Sequence, residues 1–250
     1  PSEFRPIALL NAEGRLFFTL MQWRLSNYMV KNGYIDVQIQ KGFMSDVAGC
    51  IEHSETMHQV LRDAKQVRND IVVSWIDLAN AYGSVKHSLF QFSMEWYWVP
   101  NHFCEIIFNY YENLMAAVLV GSQTTPWFRF MIGVFQGCTA STILFNVAFN
   151  TCFSHIETVR EECGYTLQKA NLKILTTGYA DDLGIIEPFQ PVHVEDYDQP
   201  EVGNLRLDFE ELVELLVVLD EQHLQPGVGD DVLALGRRVG LVDARDRSAQ

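Results

Sequence analysis

Hydrophobic positions along the chain change between helical and strand-like spacing. Residues 15–30 carry apolar side chains at helical intervals, which predicts a helix over that stretch. Ile71–Ile76 is a short, mostly apolar run rich in β-branched residues, and it predicts a buried strand. Because Asp77 follows at once, the predicted strand ends on a carboxylate.

The second half of the chain continues the alternation. Residues 101–115 predict a helix with Asn101 as its cap, and residues 141–162 predict one long helix. Two strands, Ala117–Val120 and Trp127–Phe130, are expected around the turn between them. Leu172–Ile186 is apolar on both sides of residues 178–182, which predicts a tight hairpin with acidic residues at its tip.

The pattern changes near residues 188–200, where three prolines interrupt regular structure. Beyond this boundary the chain has no lysine and almost no aromatic residue. Residues 207–219 are apolar at helical spacing with acidic residues between, so we expect one amphipathic helix there. The segment 188–250 is therefore interpreted as an acidic tail of unknown role.

Composition indicates a globular protein. The 250 residues are 48% hydrophobic and 20% charged, which excludes a wholly disordered chain. The longest unbroken apolar run, Leu114–Val120, is far shorter than the roughly 20 residues of a membrane-spanning helix. The chain opens with Pro1 rather than Met, so we expect a fragment or a processed product. Five cysteines without a CxxC pair favour a reducing, intracellular location in the nucleus or the cytoplasm.

Negative charge is concentrated in the tail. The net charge is −14; residues 191–250 hold 5 basic and 14 acidic residues, a net charge of −9, out of 18 and 32 in the whole chain. Such a chain does not attract phosphate backbones as a whole. A nucleic-acid role would therefore depend on local sites or on further protein segments.

Three carboxylates are the candidate metal-binding groups. Asp77 ends the predicted strand, and Asp181 and Asp182 lie at the predicted hairpin tip. Isolated buried carboxylates are costly, so acidic clusters with apolar flanks usually bind cations. Acids from two neighbouring strands can hold two Mg²⁺ ions about 4 Å apart, as phosphoryl transfer requires.

These motifs resemble those of the reverse transcriptases, most closely the enzymes of non-LTR retrotransposons. The hairpin segment 179–182, Tyr-Ala-Asp-Asp, resembles the YxDD motif, and Asp77 with Tyr82 five residues later resembles the first catalytic motif. The segment from Gln136-Gly137 to Ser141 is similar to the family's QGxxxS segment. Residues 5–11 resemble the RPI-LLN stretch of the fingers, and residues 40–43 resemble the following Q-x-GF element.

The resemblance implies a metal site. Asp77 and Asp181 would be the principal ligands, Asp182 would lie close to them, and the carbonyl of Leu78 would be a main-chain ligand. The implied cofactor is a pair of Mg²⁺ ions, for which Mn²⁺ is a possible substitute.

The resemblance also implies a nucleotide site. Tyr82 would select deoxynucleotides by excluding a 2′-hydroxyl, and Gln136 and Gly137 would lie beside the incoming nucleotide. Arg5 would grip the triphosphate through its guanidinium group. The implied partners are an RNA template, a DNA primer and dNTPs, with no membrane. Lys41 and Lys65 are candidate template contacts, or alternatively solvated surface lysines.

The implied fold class is α+β. We expect a polymerase palm at residues 71–187, which is a small antiparallel sheet backed by helices, after a partial and mostly helical fingers region at residues 1–70. No sequence pattern of a polymerase thumb follows the expected palm, and a missing domain or a partner could supply one.

Three functional interpretations follow. The first is a palm and fingers fragment of an RNA-directed DNA polymerase that transfers dNTPs onto a primer 3′-hydroxyl. The second is a polymerase that copies RNA into RNA, which is disfavoured because such enzymes usually carry an acid where Tyr82 stands. The third is a catalytically impaired or domesticated retroelement derivative that acts as a binding protein.

Overall fold

The computed structural model describes residues 7–78 and 80–189, together with the backbone of residues 237–242. Arg5 and the predicted helix at residues 207–219 lie outside this described part, as does most of the predicted boundary at 188–200. The described residues combine helices with small antiparallel sheets, so the α+β class is confirmed.

Helices account for much of the described chain. Asn11 starts the first helix because its side chain accepts a hydrogen bond from the Gly14 amide at 2.8 Å. The helices are α1 (Ala12–Lys31), α2 (Cys50–Val67), α3 (Ala81–Ser84), α4 (His87–Trp96), α5 (Asn101–Glu112), α6 (Thr139–Glu157) and α7 (Arg160–Cys163).

The strands are short, and their pairs are antiparallel. The main sheet has four strands in the order β10-β1-β9-β8, and the pairs β2–β5, β3–β4 and β6–β7 form separate two-stranded sheets. The strands are β1 (Ile71–Ile76), β2 (Met115–Ala116), β3 (Leu119–Val120), β4 (Gln123–Thr124), β5 (Phe128–Arg129), β6 (Tyr165–Leu167), β7 (Leu172–Ile174), β8 (Thr176–Tyr179), β9 (Asp182–Pro188) and β10 (Arg237–Val242).

The chain divides into two compact units, each assembled from segments that are distant in sequence. Unit 1 comprises residues 1–37, 43–46 and 80–151, and unit 2 comprises residues 38–42, 47–79 and 152–250. Since the units interleave along the chain, the predicted contiguous division into fingers and palm at residues 70 and 71 stays a prediction.

The main sheet and its hydrophobic core belong to unit 2. Alternate side chains of β1, Ile71 and Val73, are almost fully buried and pack with Ile186 of β9. Val60 of α2 and Tyr165 of β6 cover this cluster. Burial of this face aligns β1 with β9, so that the last residue of β1 and the first residue of β9 lie near each other at one end of these central strands.

Unit 1 is mostly helical. Phe18 of α1 packs on Tyr110 of α5, with ring centroids 4.6 Å apart. The buried Asn150 amide donates hydrogen bonds to the Tyr34 carbonyl and the Tyr97 hydroxyl, both at 2.8 Å. Buried aromatic contacts and satisfied polar groups therefore hold this unit together.

Several predicted boundaries were wrong. Asn101 is the first residue of α5 rather than its cap, and the preceding residue is Pro100. The helix predicted over residues 141–162 is interrupted: α6 ends at Glu157, and the Thr158 hydroxyl donates to the His155 carbonyl at 2.6 Å before α7 begins. The predicted strands at 117–120 and 127–130 are reduced to two-residue pairs.

Helix length and hydropathy also bear on membrane insertion. No helix in the described part of the chain combines the length and apolarity that crossing a bilayer needs.

Candidate active site

The sheet brings Asp77 next to Asp182. In the ladder between β1 and β9 the last pair is Ile76 with Leu183; Asp77 directly follows β1, and Asp182 is the first residue of β9, so these two are the next positions outward. Directly opposed residues of an antiparallel pair have Cβ atoms about 4.5–5.5 Å apart, and their side chains share one face. Both side chains are exposed. The carboxylates of Asp77 and Asp182, which are more than 100 residues apart in sequence, therefore lie near each other at one end of the two central strands.

The two carboxylates interact electrostatically. Although Asp182 is exposed overall, partial burial of its carboxyl raises the pKa above the ordinary value, and the negative charge of Asp77 raises that pKa further. The two oxygen-donor groups repel each other as ions, and a divalent cation between them would relieve the repulsion. The pair therefore fits the predicted metal.

Asp181 lies in the turn that connects the two strands of the hairpin. Tyr179 of β8 pairs with Asp182 of β9, so Ala180 and Asp181 form a two-residue turn. Among the described residues, no group of three or more His, Cys, Asp or Glu side chains has a metal-binding arrangement. The convergence of Asp181 with Asp77 and Asp182 stays a prediction.

The hairpin turn has an unusual backbone. Ala180 is almost fully buried and has a φ of 56°, in the left-handed region where L-residues are disfavoured by about 1–2 kcal/mol. A positive φ at the first turn position matches the right-handed twist of a two-residue hairpin. The surrounding contacts must therefore hold this turn in place.

The segment Gln38–Gly42 runs alongside β8 and supplies such contacts. The Lys41 amide donates to the Gly178 carbonyl at 2.8 Å, and the Gly178 amide donates to the Ile39 carbonyl at 2.9 Å. His53 of α2 places its Nε2 atom 2.7 Å from the Ile39 carbonyl and 3.1 Å from the Gly178 carbonyl. Because carbonyls only accept, this nitrogen carries the proton and is not a metal ligand.

Lys41 is not a solvated surface lysine. Its side chain is buried and forms an ion pair with Glu52, and its role as a template contact stays a prediction. The ion pair lowers the pKa of the Glu52 carboxyl. Lys65 is exposed on α2, and its role as a template contact stays a prediction.

Tyr82 lies in unit 1, on the short helix α3. Its ring stacks on Phe145 of α6 with centroids 5.0 Å apart and planes 8° apart. Phe43 contacts the same ring edge-on at 6.4 Å. The Tyr82 carbonyl accepts a hydrogen bond from the Val134 amide at 2.7 Å. The ring is half-buried, so aromatic packing sets its orientation while part of its surface faces solvent.

Gln136 and Gly137 are in unit 1 as well. The Gln136 carbonyl accepts a hydrogen bond from the Ala8 amide at 2.7 Å. Gly137 has a φ of 109°, and a Cβ atom there would lie 2.5 Å from the Ala8 carbonyl oxygen. The backbone that approaches Gly137 in this structure is therefore Ala8. Contact of Gln136 and Gly137 with a nucleotide stays a prediction, as does the role of the half-buried Leu78.

Comparison with known proteins agrees with these motifs. Residues 1–199 match the family described as reverse transcriptase (RNA-dependent DNA polymerase). The chain belongs to the reverse transcriptase family. This membership supports the expected nucleotidyltransferase class, RNA-directed DNA polymerase.

A retrotransposon polyprotein is among the relatives of this reverse transcriptase chain. The chain is 24% identical over 183 residues to the retrovirus-related Pol polyprotein from type-2 retrotransposable element R2DM of Drosophila melanogaster. The match covers 73% of this chain and 16% of that polyprotein. The chain therefore spans a small part of its curated relative.

Solved telomerase structures share the fold. The Candida albicans telomerase matches with a TM-score of 0.55 and 9% identity, over 82% of this chain and 33% of that one. A telomerase from Candida tropicalis truncated from its C-terminal domain matches with a TM-score of 0.53 and 12% identity, over 91% and 45%. At these identities the likeness concerns the fold alone.

Sequence reasoning about this reverse transcriptase chain missed two residues beside the hairpin. Gln40 belongs to the Q-x-GF element, but no role was assigned to it. His53 was not singled out as a site residue. The signal for Gln40 was a polar side chain inside an otherwise recognisable motif, whereas the hydrogen-bond partners of His53 are backbone carbonyls distant in sequence.

Proposed function

We propose that this chain is the palm and fingers portion of an RNA-directed DNA polymerase that adds dNTPs to a primer 3′-hydroxyl by a two-metal mechanism. The observation that carries the proposal is the placement of Asp77 beside Asp182 at the edge of the sheet. Membership of the reverse transcriptase family supports it, because that family performs this chemistry.

The acidic residues would hold the metal ions. Asp77, Asp181 and Asp182 would provide carboxylate oxygens, and Leu78 would provide its carbonyl. The chemistry that bound Mg²⁺ supplies at such a site is activation of the primer hydroxyl and neutralisation of charge on the leaving pyrophosphate. A cation between the two carboxylates would offset the repulsion by which Asp77 raises the pKa of the Asp182 carboxyl, and it would favour the ionised form of both.

Nucleotide selection would depend on residues of unit 1. Tyr82 would exclude a 2′-hydroxyl with a ring that Phe145 and Phe43 hold in place. Gln136 and Gly137 would lie beside the incoming nucleotide. The RNA template, DNA primer and dNTPs are partners proposed from the family, and a further domain or a partner would supply the thumb.

Primer extension tests the proposal. The chain, and a version extended at both ends, are given an RNA template, a DNA primer, dNTPs and Mg²⁺. We expect extension by the longer version, and we expect Asp77→Asn to reduce kcat by at least a hundredfold. Glu105→Gln, which neutralises an exposed acid on α5, should leave the rate unchanged.

Two results would contradict the proposal. One is the absence of extension by both versions under conditions where an RNA–DNA hybrid is bound, which would favour a binding role. The other is extension that survives Asp77→Asn, because it would place the chemistry elsewhere.

A further inference from the structure

Gln40 contacts the turn of the acidic hairpin with both ends of its side-chain amide. Its Oε1 atom accepts a hydrogen bond from the Ala180 amide at 2.7 Å, and its Nε2 atom donates to the Ala180 carbonyl at 3.1 Å. The same Oε1 atom accepts from the Gly42 amide at 2.8 Å. The side chain is almost fully buried, with 2% of its surface exposed.

These contacts take the place of a neighbouring strand. A side-chain amide that accepts from the N–H and donates to the C=O of one residue mimics the exchange of hydrogen bonds between paired strands. The residue that it holds, Ala180, has the disfavoured positive φ and directly precedes Asp181. Gln40 therefore constrains the peptide groups that determine the direction of the Asp181 backbone.

The backbone of the Gln40 segment is packed against the same turn. A Cβ atom at Gly42 would overlap the Ala180 backbone nitrogen, so the close approach requires glycine. Gln40 also forms a parallel bridge with Gly178 of β8. Backbone hydrogen bonds to β8, together with the close approach that Gly42 permits, thus fix the position of Gln40 relative to the hairpin.

We infer that Gln40 is a positioning residue for the metal site, holding the Ala180–Asp181 turn so that Asp181 joins the pair of Asp77 and Asp182. The inference rests on the proposed function. Gln40 touches neither substrate nor metal; it acts through the Ala180 backbone. Its loss should therefore loosen the turn and weaken divalent-cation binding while the rest of unit 2 stays folded.

The first test measures amide hydrogen exchange by NMR. Gln40→Met keeps the approximate volume of the side chain but removes all three hydrogen bonds. We expect the Ala180 amide to exchange at least tenfold faster relative to the paired β8 and β9 amides. Gln40→Glu keeps the oxygen that accepts from Ala180 and should retain part of the protection, which also provides a readout if Gln40→Met does not fold.

The second test measures Mn²⁺ affinity by electron paramagnetic resonance. An acidic chain also binds Mn²⁺ elsewhere on its surface. The Mn²⁺ binding that disappears in Asp77→Asn is therefore counted as the specific binding. We expect Gln40→Met to weaken this specific binding at least fivefold. The matched control is Asn150→Ala, which removes a buried amide of unit 1 and should lower Tm without changing Mn²⁺ affinity or Ala180 exchange.

The outcomes separate the two proposals. Unchanged protection of Ala180 in Gln40→Met overturns the inference, as does unchanged specific Mn²⁺ affinity in that variant. Absence of Asp77-dependent Mn²⁺ binding in the unsubstituted chain would contradict the two-metal function. The exchange experiment would still decide whether Gln40 holds the turn, because Ala180 exchange does not depend on a cation.

Discussion

At the scale of single residues, aromatic and backbone contacts set the orientation of Tyr82, a candidate functional residue, and of the half-buried His87. Tyr82 has one face stacked on Phe145 and an edge against Phe43. His87, at the start of α4, lies among Phe90, Tyr111 and Phe130. Each side chain has few alternative positions, so a substitution should report on its role rather than on rearrangement.

Tyr82 should control the choice of sugar. In an active version of the chain, Tyr82→Val should let ribonucleotides in, because the ring that would overlap a 2′-hydroxyl is gone. We expect the ratio of kcat/KM for deoxynucleotides over ribonucleotides to fall at least tenfold, or about 1.4 kcal/mol. Tyr82→Phe keeps the ring and should preserve the ratio. A ratio unchanged by Tyr82→Val would mean that the tyrosine serves packing alone.

His87 should make stability depend on pH. Burial lowers the pKa of His87 below its ordinary value of 6.5, although its hydrogen bond to the Gly133 carbonyl at 2.9 Å opposes the shift. The unfolded chain therefore binds this proton more readily than the folded chain. The contribution of His87 to the free energy of unfolding should be fully present above about pH 6.5 and should be lost as the pH drops through the lowered pKa.

Chemical denaturation between about pH 7.5 and 5.5 measures the His87 effect. We expect His87→Gln, which can still donate to the Gly133 carbonyl, to flatten the pH dependence. The control His102→Gln removes an exposed histidine on α5 and should leave the profile as it was. A profile that His87→Gln does not alter would assign the titration to other groups.

At the scale of elements, the acidic hairpin is held along β8 as well as at its turn. Gly178 of β8 faces the ring of Phe153 on α6, and a Cβ atom added at Gly178 would overlap that buried ring. The absence of a side chain therefore sets how closely the helix can pack on the hairpin.

Gly178→Ala should destabilise the protein by about 1–3 kcal/mol through overpacking. Phe153→Leu should make room for the new methyl group, so the double variant should lose less than the sum of the two single changes. Denaturant unfolding of all four proteins gives the coupling, which we expect to be at least about 1 kcal/mol. Additive losses would show that Gly178 and Phe153 do not share this space.

At the scale of the whole molecule, the negative net charge weakens nucleic-acid binding. The net charge is −14, and residues 191–250 contribute −9 of it. We therefore expect weak binding of an RNA–DNA hybrid, because the acidic tail repels phosphates.

Neutralising the tail should strengthen binding of the hybrid. We expect replacement of the acidic residues between 195 and 231 by Asn and Gln to lower Kd several-fold at about 50 mM salt. The difference should shrink at about 500 mM salt, where the Debye length is only a few ångströms. Fluorescence anisotropy measures both values. A control with the same residues shuffled within that segment keeps the charge, and an equal gain in the control would refute the electrostatic cause.

Much of the local structure was predictable. The periodicity of residues 15–30 predicted α1, and the β-branched run at Ile71–Ile76 predicted β1 with its observed bounds. The apolar arms around residues 178–182 predicted the hairpin between β8 and β9, but the predicted first arm was too long, because Leu172–Ile174 is the separate strand β7 that pairs with β6. These predictions were confirmed because helical and strand periodicity, and apolar runs around a short turn, are properties of neighbouring residues.

Contacts between distant segments needed the folded chain. Nothing local indicates that Gln40 holds Ala180, that Ala8 approaches Gly137, or that β10 pairs with β1. The residue types and the order of the motifs were sufficient to predict the family and the three candidate carboxylates. Tertiary structure decided which carboxylates are neighbours, because the register between β1 and β9 is set by burying Ile71, Val73 and Ile186 in a common core.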